Sequence, residues 1–271
     1  MLLSPFIKTA KRLAPSRIAF RLEQMWRERR REGEPEWHLL QGLADPARAA
    51  VDVGARGGVY AERLSRICPY VHCFEPQPGL AADLQRKLPP NVTTHSIALS
   101  DQSGFAELRG VHGDNRRSSL HPADTTQGET ICVALRRLDD VVCDPVGFLR
   151  INVDGQAMSV LRGAEEILHR DRPTLLITAK AVHQEGQPLE FFQYLSDCGY
   201  EGCFLWGDDI VPADAFSLEE HQRPDRAGGY VSNFIFMAVD SKRRAKAVSS
   251  LALTRNVPVA ADLSSTGPLA A

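Results

Sequence analysis

The chain has 271 residues, enough for one large α/β domain with appendages or for two small domains. A hydrophobic fraction of 43% and a charged fraction of 24% are ordinary for a globular protein, and a net charge of -2 argues against nucleic-acid binding driven by overall charge. No apolar run approaches the roughly 20 residues that cross a bilayer, and the N-terminus makes a poor signal peptide, so a cytoplasmic protein is expected. Six cysteines without a C-x-x-C pair favour buried thiols in a reducing compartment over a disulfide framework.

Residues 1–48 are predicted to form a basic, helical N-terminal extension. Lysine and arginine far outnumber the acids before residue 32, and Ile18, Leu22, Met25 and Trp26 fall on one face of a helix. We expect this apolar stripe to pack on the main domain. The alternative is a peripheral contact of the basic helix with anionic lipid headgroups.

Strands and helices alternate over residues 49–240, which are predicted to form the main domain. Strands are predicted at "AAVDVGA", "VHCFEP", "VTTHSIALS", "FLRINV" and "TLLITAK". Helices are predicted at Val59–Ile67, Pro78–Leu88, Ala157–His169 and Leu189–Cys198. This alternation predicts an α/β fold with a doubly wound, mostly parallel sheet.

Four further strand-like segments fall outside that alternation. "FAELRG" and "ETICVAL" flank a polar loop and predict an edge hairpin, while "GCFLW" and "NFIFMAV" predict a final antiparallel pair. Residues 241–271, rich in alanine, serine and proline, are predicted to form a disordered tail.

The segment "VDVGARGGVYAERL" places Asp52 at the end of the first strand, followed by Gly54, Gly57 and Gly58. Ligands of open parallel sheets bind at the carboxyl ends of strands, and glycines there allow a tight turn and close approach to a helix N-terminus. The Asp52 carboxylate suits a cationic group better than a pyrophosphate. The spacing is not G-x-G-x-x-G, which disfavours a nicotinamide-dependent oxidoreductase, but it fits the looser D-x-G-x-x-x-G pattern of S-adenosylmethionine (SAM) methyltransferases.

Two further strand ends carry polar residues in the order that a nucleoside requires. Glu75, in "CFEP", can accept hydrogen bonds from both ribose hydroxyls, and Ser100 and Asp101, in "ALSDQSG", can meet an adenine edge. Each piece alone is typical of an ordinary turn or cap. The three strand ends in series predict a nucleoside site.

From about Val51 to Val239 these residues resemble the FkbM family of SAM-dependent methyltransferases. The resemblance is carried by "VDVGARGGVY", "CFEPQP", "NVTTHSIALSDQSG", "RRLDDV", "LRINVDGQAMSVLRGAEEIL" and "NFIFM". It implies a seven-stranded, Rossmann-like methyltransferase sheet whose last strand is antiparallel. It also implies SAM as cofactor and methylation of a hydroxyl on a small-molecule or saccharide acceptor, such as a polyketide-like metabolite.

The resemblance assigns parts of the cofactor to the strand ends. The first loop would lie near the methionine part of SAM, the second strand end would hold the ribose, and the third would lie near the adenine. The cofactor-binding residues predicted in this way are Asp52, Gly54, Ala55, Arg56, Gly58, Glu75, Pro76, Ser100, Asp101 and Asn152.

The chain departs from the family where catalysis is expected. The family's I-D-V-E-G is here Ile151–Gly155 with Asn152 in place of the first acid and the shorter Asp154 in place of the second. Further acids of the family are absent at Ala157 and Ala179. These losses motivate the alternative of a methyltransferase-like, nucleoside-binding module with little or no catalysis.

Methyl transfer to a hydroxyl is an in-line displacement that relies on positioning, and a base adds a factor of about 10²–10⁴. Asp154 is the candidate base with the best position, although capping of the following helix is an equal alternative. His183, after the fifth strand, is a second candidate, and Asn152 is assigned to orientation by hydrogen bonds. His112 and His121 lie in a polar loop that is either an acceptor lid, with Arg116 and Arg117 as anion contacts, or a solvated loop. No ligand spacing predicts a metal site, and the sequence specifies neither the acceptor nor the oligomeric state.

Overall fold

A computed structural model of the chain describes residues 16–29, 34–110, 118–119, 129–180, 187–207, 209–222 and 230–241. Some sequence predictions concern other residues. Those outside the described residues are His112, Arg116, Arg117, His121, His183, the side chain of Trp26, and the predicted tail from residue 242 onward. The predicted boundaries at residues 48 and 240 stay predictions.

Helices and strands alternate along the described chain. Its α-helices are α1 (Ser16–Arg29), α2 (Leu40–Leu43), α3 (Val59–Leu64), α4 (Pro78–Lys87), α5 (Ala157–Arg162), α6 (Glu165–Asp171), α7 (Gln187–Asp197) and α8 (Leu218–His221), with 3₁₀ turns at Pro35–His38 and Ala213–Ala215. Its strands are β1 (Ala49–Val53), β2 (Val71–Phe74), β3 (Val92–His95), β4 (Ala98–Leu99), β5 (Gly104–Gly110), β6 (Ser118–Ser119), β7 (Thr130–Arg136), β8 (Val146–Ile151), β9 (Thr174–Thr178), β10 (Tyr200–Trp206), β11 (Asp209–Pro212) and β12 (Asn233–Ala238).

The main sheet has eight strands in the order β3-β2-β1-β8-β9-β12-β10-β11. The five strands β3, β2, β1, β8 and β9 run parallel to one another, whereas β12 is antiparallel to both β9 and β10. The predicted fold class is therefore confirmed: a doubly wound, mostly parallel Rossmann-like sheet whose last strand is antiparallel. The structure adds an eighth strand to the seven predicted, because a turn at Gly207 with φ 60° folds β11 back onto β10.

A second, four-stranded sheet has the order β4-β7-β5-β6. The predicted hairpin of "FAELRG" and "ETICVAL" is confirmed as the antiparallel pair β5 and β7, but it lies in this separate sheet. The predicted single strand "VTTHSIALS" divides between the sheets, since β3 pairs with β2 and β4 pairs with β7. The division places Ala98 and Leu99 in the small sheet, next to β7.

Helices cover both faces of the main sheet, because alternate residues of each buried strand point to opposite sides. Val51 and Val53 pack with residues of α5, α6 and α7 in one core, and Ala50 packs with residues of α2, α3 and α4 in the other. The helix predicted over Ala157–His169 is two helices, α5 and α6, separated at Gly163. The parallel strands end at one edge of the sheet, which positions the site described below.

Helix α1 is held against α4, but by a different face from the one predicted. The Ser16 hydroxyl donates to the Arg86 carbonyl (3.1 Å), and Ala19 is buried while Ile18 is 52% and Met25 37% exposed. Phe20 packs against the core instead. The prediction that Ile18 and Met25 pack on the domain is thus wrong, because helical periodicity identifies a stripe without identifying its partner. Contact of this helix with lipid headgroups stays a prediction.

None of the six cysteines forms a disulfide, and their side chains differ in exposure. Cys68, Cys73 and Cys203 are buried as predicted, whereas Cys132 and Cys143 are exposed. Within the described part of the chain, no helix has the length and apolar character to cross a membrane.

Candidate functional site

The loop between β1 and α3 forms the first wall of a cleft at the carboxyl edge of the sheet. Gly54 and Gly58 have φ angles of 75° and 74°, and Arg56 between them also has a positive φ, 46°. The Gly54 and Ala55 N–H groups donate to the Phe74 carbonyl at 3.0 and 3.1 Å, which ties the loop to the end of β2. A left-handed backbone favours glycine, so Gly54 and Gly58 suit this conformation. Arg56 is a non-glycine residue with the same left-handed backbone.

Gly54 also permits a close approach between β1 and β8. A Cβ at this position would lie 2.2 Å from the Asn152 carbonyl oxygen, and the Asn152 N–H donates to the Val53 carbonyl at 2.9 Å. Both contacts involve backbone, which cannot move aside as a flexible side chain can. The turn therefore fixes the position of the Asn152–Asp154 segment beside the loop.

Glu75 is buried at the end of β2, with 2% of its surface exposed. Its Oε2 accepts the Arg56 N–H at 3.0 Å and its Oε1 accepts the Gln77 N–H at 3.1 Å. Burial raises the pKa of Glu75, while the backbone N–H donors from Gln77 and Arg56 oppose that shift. The carboxylate is thus held rigidly, and each oxygen keeps a lone pair for a further donor.

Asp154 lies at the opposite wall of the cleft and forms a hydrogen-bonded ion pair with Arg56. The Arg56 Nη2 donates to Asp154 Oδ2 at 3.0 Å across the cleft. The N-cap of α5 is Gln156, without a side-chain cap bond, so Asp154 is not the N-cap residue of this helix. A base at this position would first have to exchange its arginine partner for the acceptor hydroxyl.

The cleft enclosed by these walls has an empty volume of about 570 Å³ out to its open mouth. Its lining is mostly apolar with a few polar groups: Val53, Gly54, Arg56, Phe74, Glu75, Pro76, Ile97, Ala98, Leu99, Leu108, Asn152, Val153, Asp154 and Gln156.

Residues 52–201 match the profile of the Methyltransferase FkbM domain. That match covers more than half of the 271 residues. The chain belongs to the FkbM methyltransferase family.

The sequence predictions of the family and of its methyltransferase fold are thereby confirmed. No match was found among the curated proteins. Similar solved structures include an FkbM methyltransferase from Methylobacillus flagellatus, at 18% identity and a TM-score of 0.48, covering 71% of this chain and 44% of that one. This chain thus spans less than half of that relative.

Two further solved structures are similar at the same level. An rRNA methylase from Streptococcus thermophilus is 14% identical with a TM-score of 0.44, covering 75% of this chain and 93% of that chain. A Streptococcus mutans protein solved in complex with SAH is 15% identical with a TM-score of 0.41, covering 74% of this chain and 93% of that chain.

Six of the predicted site residues line the cleft of this member of the FkbM methyltransferase family. They are Gly54, Arg56, Glu75, Pro76, Asn152 and Asp154. Ala55 is buried in the core, and a Cβ at Gly58 would lie 2.5 Å from Leu84 Cδ2, so Gly58 serves the packing of α3 on α4. Ser100 and Asp101 bond to each other at 3.1 Å beside the cleft without being part of its lining.

Asp52 lies on the other side of the sheet from the cleft. Its Oδ1 accepts from Arg150 Nη1 at 2.7 Å, both side chains are buried, and the Arg150 guanidinium lies 3.9 Å from the centroid of the Tyr60 ring. Burial disfavours the charge on Arg150, yet the Asp52 carboxylate and its neighbours raise the pKa of this arginine above the usual value. The cationic group that the sequence predicts beside Asp52 is thus Arg150, and the carboxylate does not line the cleft.

The segment before β1 covers the end of β9 and the start of β12. The Asn233 amide donates to Glu36 Oε2 at 3.0 Å and to Glu34 Oε2 at 3.2 Å, and Glu34 also accepts the Tyr60 hydroxyl at 2.6 Å. The Thr178 hydroxyl donates to Asn233 Oδ1 at 2.7 Å. Asn233 belongs to the late FkbM motif "NFIFM", and its partners Glu34 and Glu36 were not predicted from the sequence.

No group of three or more histidine, cysteine, aspartate or glutamate side chains is arranged to hold a metal ion among the described residues. The cleft instead combines one buried carboxylate, one ion pair and apolar walls. Phe74, Ile97, Leu99 and Leu108 supply those walls and were missed by the sequence predictions.

Replacing Arg56 with glycine is expected to change the free energy of unfolding by less than about 1 kcal/mol, because a half-exposed ion pair contributes little and glycine suits the left-handed backbone. Arg172 offers a contrast with a similar φ of 53°. It donates to the Cys198 and Gly199 carbonyls at 2.6 and 3.0 Å, so Arg172→Gly should lose roughly 2–3 kcal/mol. Urea unfolding of both variants is the measurement, and equal losses would contradict this assignment.

Proposed function

We propose that the protein is a SAM-dependent O-methyltransferase that acts on a hydroxyl of a saccharide or polyketide-like metabolite. Membership of the FkbM methyltransferase family supports the reaction class. The single observation that carries the cofactor assignment is the Glu75 carboxylate, fixed in the cleft by the Arg56 and Gln77 N–H groups. A carboxylate held in this way accepts hydrogen bonds from a ribose diol.

The lining of the cleft fits the other parts of this cofactor. Phe74, Ile97 and Leu99 offer apolar surface for a purine ring, and Gly54 lets Asn152 lie beside the loop so that both residues line the cleft. Arg56 would accommodate the methionine carboxylate, since a guanidinium pairs well with that group. SAM would supply the methyl group: the acceptor oxygen bonds to the methyl carbon as the carbon–sulfur bond breaks, which releases SAH and a proton from the hydroxyl.

The chain's own residues would then position the acceptor. The Asn152 amide would orient its hydroxyl by hydrogen bonds, and Asp154 would accept the proton once Arg56 is engaged elsewhere. His183 stays the second candidate base of this proposal, and the loop around Arg116 stays its candidate acceptor lid. Calorimetry of the full chain with SAM and S-adenosylhomocysteine (SAH) is the first test, and no binding of either would refute the cofactor assignment.

Substitution of Glu75 by glutamine is expected to weaken SAH binding by about 10–100-fold. The amide keeps the volume but has only one acceptor oxygen, and hydrogen bonds to a charged group contribute about 1.5–3 kcal/mol. Glu107→Gln is the matched control, since Glu107 is an exposed glutamate on β5 that pairs with Arg109 at the surface. An unchanged SAH affinity in Glu75→Gln would show that the Glu75 carboxylate does not contribute to cofactor binding.

The affinity for SAH is also expected to fall as the solution is acidified. Because the pKa of Glu75 lies above the ordinary glutamate value, this carboxylate takes up a proton at a higher pH than an exposed glutamate does. Protonation replaces an acceptor by a donor, so binding should weaken as the pH drops through that raised pKa. Glu75→Gln should lose this pH dependence, which separates Glu75 from other titrating groups.

The second candidate function is a nucleoside-binding module with little catalysis. It is favoured by the Arg56–Asp154 ion pair, which occupies the best-placed carboxylate, and by the amide at Asn152. Asn152→Asp restores the acid that the family carries. If the wild-type protein binds SAH, turns over no hydroxyl acceptor in a broad panel, and gains turnover with Asn152→Asp, the binding module is the correct assignment.

A further inference from the structure

Helix α1 presents its apolar stripe to the outside of the protein. Ile18 and Met25 are 52% and 37% exposed, and Leu22 between them is half-buried. These residues stand at positions i, i+4 and i+7 of the helix, so they lie along one face. Arg21 is exposed on the same face, three residues after Ile18. We call these four residues the outer face of α1.

The opposite face holds the helix on the domain. Ala19 and Gln24 are only 6% and 2% exposed. Phe20 packs beside the core, and the Lys87 ammonium of α4 lies 4.9 Å from the centroid of its ring. Because these contacts fix the inward side of α1, the outer face stays at the surface.

The segment that contains the outer face is basic. Residues 1–31 include nine lysines and arginines but only two glutamates, whereas the whole chain has a net charge of -2. Arg21 lies within electrostatic range of Glu62, a carboxylate that also binds Arg66 at 2.6 Å. Even with this carboxylate counted, the segment keeps an excess of positive charge.

We propose that the outer face of α1 binds the surface of an anionic lipid bilayer. Exposed apolar side chains beside basic ones are typical of helices that lie in the membrane interface. There the apolar groups reach the acyl boundary and the arginines meet headgroup phosphates. A second copy of the chain fits this face less well, because its own outer face lies in the same basic segment. The inference does not depend on the cofactor assignment.

Flotation of the full chain with lipid vesicles tests the proposal. The protein should float with vesicles of equimolar phosphatidylcholine and phosphatidylglycerol, and far less with vesicles of phosphatidylcholine alone. Binding should weaken as the salt concentration rises, because salt screens the attraction between the basic segment and the headgroups. Circular dichroism checks that each variant below is folded.

The apolar part of the outer face is tested with Ile18→Gln/Met25→Gln, which keeps helix-forming residues at both positions. This double variant is expected to bind the anionic vesicles about tenfold more weakly or less, because two apolar side chains no longer enter the interface. Phe105→Gln/Val239→Gln is the matched control. It removes two apolar side chains that are 76% and 42% exposed elsewhere on the surface, and it should bind as the wild type does.

The basic part is tested with Arg21→Gln, which is expected to weaken binding by about fivefold. Arg162→Gln removes one exposed arginine from another helix, α5, and should leave binding unchanged. Equal weakening by these two variants would indicate diffuse attraction to the whole protein surface and would contradict a site on α1.

Three other results would also overturn the proposal. The first is a wild-type protein that does not float with the anionic vesicles, and the second is equal flotation with vesicles of phosphatidylcholine alone. The third is equal weakening by the two double variants. A wild-type dimer that fails to float and dissociates in Ile18→Gln/Met25→Gln would assign the outer face to a second copy instead. Calorimetry with SAH reports on the cleft separately, so failure of the cofactor assignment and failure of this proposal are distinguishable.

Discussion

The Asp52→Leu variant is expected to lose about 3–5 kcal/mol of unfolding free energy, one of the two largest effects predicted for this protein. The substitution leaves the Arg150 guanidinium buried without the carboxylate that it contacts at 2.7 Å. The stacking of Arg150 on Tyr60 remains, but a ring face cannot replace a charged partner in a buried site. Urea unfolding followed by circular dichroism measures the loss.

The double variant Asp52→Leu/Arg150→Met serves as the control. Replacing both members of a buried ion pair by apolar residues of similar size is often neutral or stabilising, and Asp52 Oδ2 has no hydrogen-bond partner among the described residues. We therefore expect the double variant to recover most of the stability. Its SAH affinity should stay within about threefold of the wild type, a change below roughly 0.7 kcal/mol. If the double variant is stable but no longer binds SAH, Asp52 contributes to the cofactor site after all.

Gly54→Ala is expected to lose roughly 3–5 kcal/mol of stability and most of the SAH affinity. The new Cβ would lie 2.2 Å from the Asn152 carbonyl oxygen, at a residue whose φ is already 75°. The clash strains the backbone at the ends of both β1 and β8. Relief requires the two strand ends to separate, and this opens the cleft between Gly54 and Asn152.

Gly57→Ala is the matched control, because it makes the same chemical change three residues further along the same loop. A Cβ at Gly57 has no heavy atom within 4 Å, and its φ is not left-handed. Its stability should stay within about 0.5–1 kcal/mol of the wild type. Similar losses in both variants would mean that loop flexibility, and not the contact with Asn152, determines the effect.

The family, and the residues that line the cleft at the ends of β1 and β2, were predictable because their signals are local in sequence. Glu75 is marked by a buried strand that ends in an acid before proline, and Gly54 by a glycine directly after a strand. Asp52 was misplaced although the alternation of strand residues contains the necessary information. Val53 lines the cleft, so its neighbour Asp52 must face the other side of the sheet.

Other features depend on contacts that no single stretch of sequence records. Leu108 reaches the cleft from the second sheet, whose position relative to the main sheet follows only from the pairing of β4 with β7. The Arg150 partner of Asp52 requires the register between β1 and β8. The Arg56–Asp154 ion pair joins residues 98 positions apart. Tertiary geometry of this kind determined most of the differences between prediction and structure.

The hydrogen bonds from Asn233 to Glu34 and Glu36 also have a consequence for the order of events during synthesis. They join residues 199 and 197 positions apart, near the two ends of the described chain. At a translation rate of about 5–20 residues per second, the ribosome needs roughly 10–40 s to make the intervening chain. Until β12 has emerged and inserted between β9 and β10, the acids of the early segment lack their amide partner. The nascent protein therefore completes this interior part of its sheet last, and a ribosome stalled before Asn233 carries a chain in which β9 lacks its β12 neighbour.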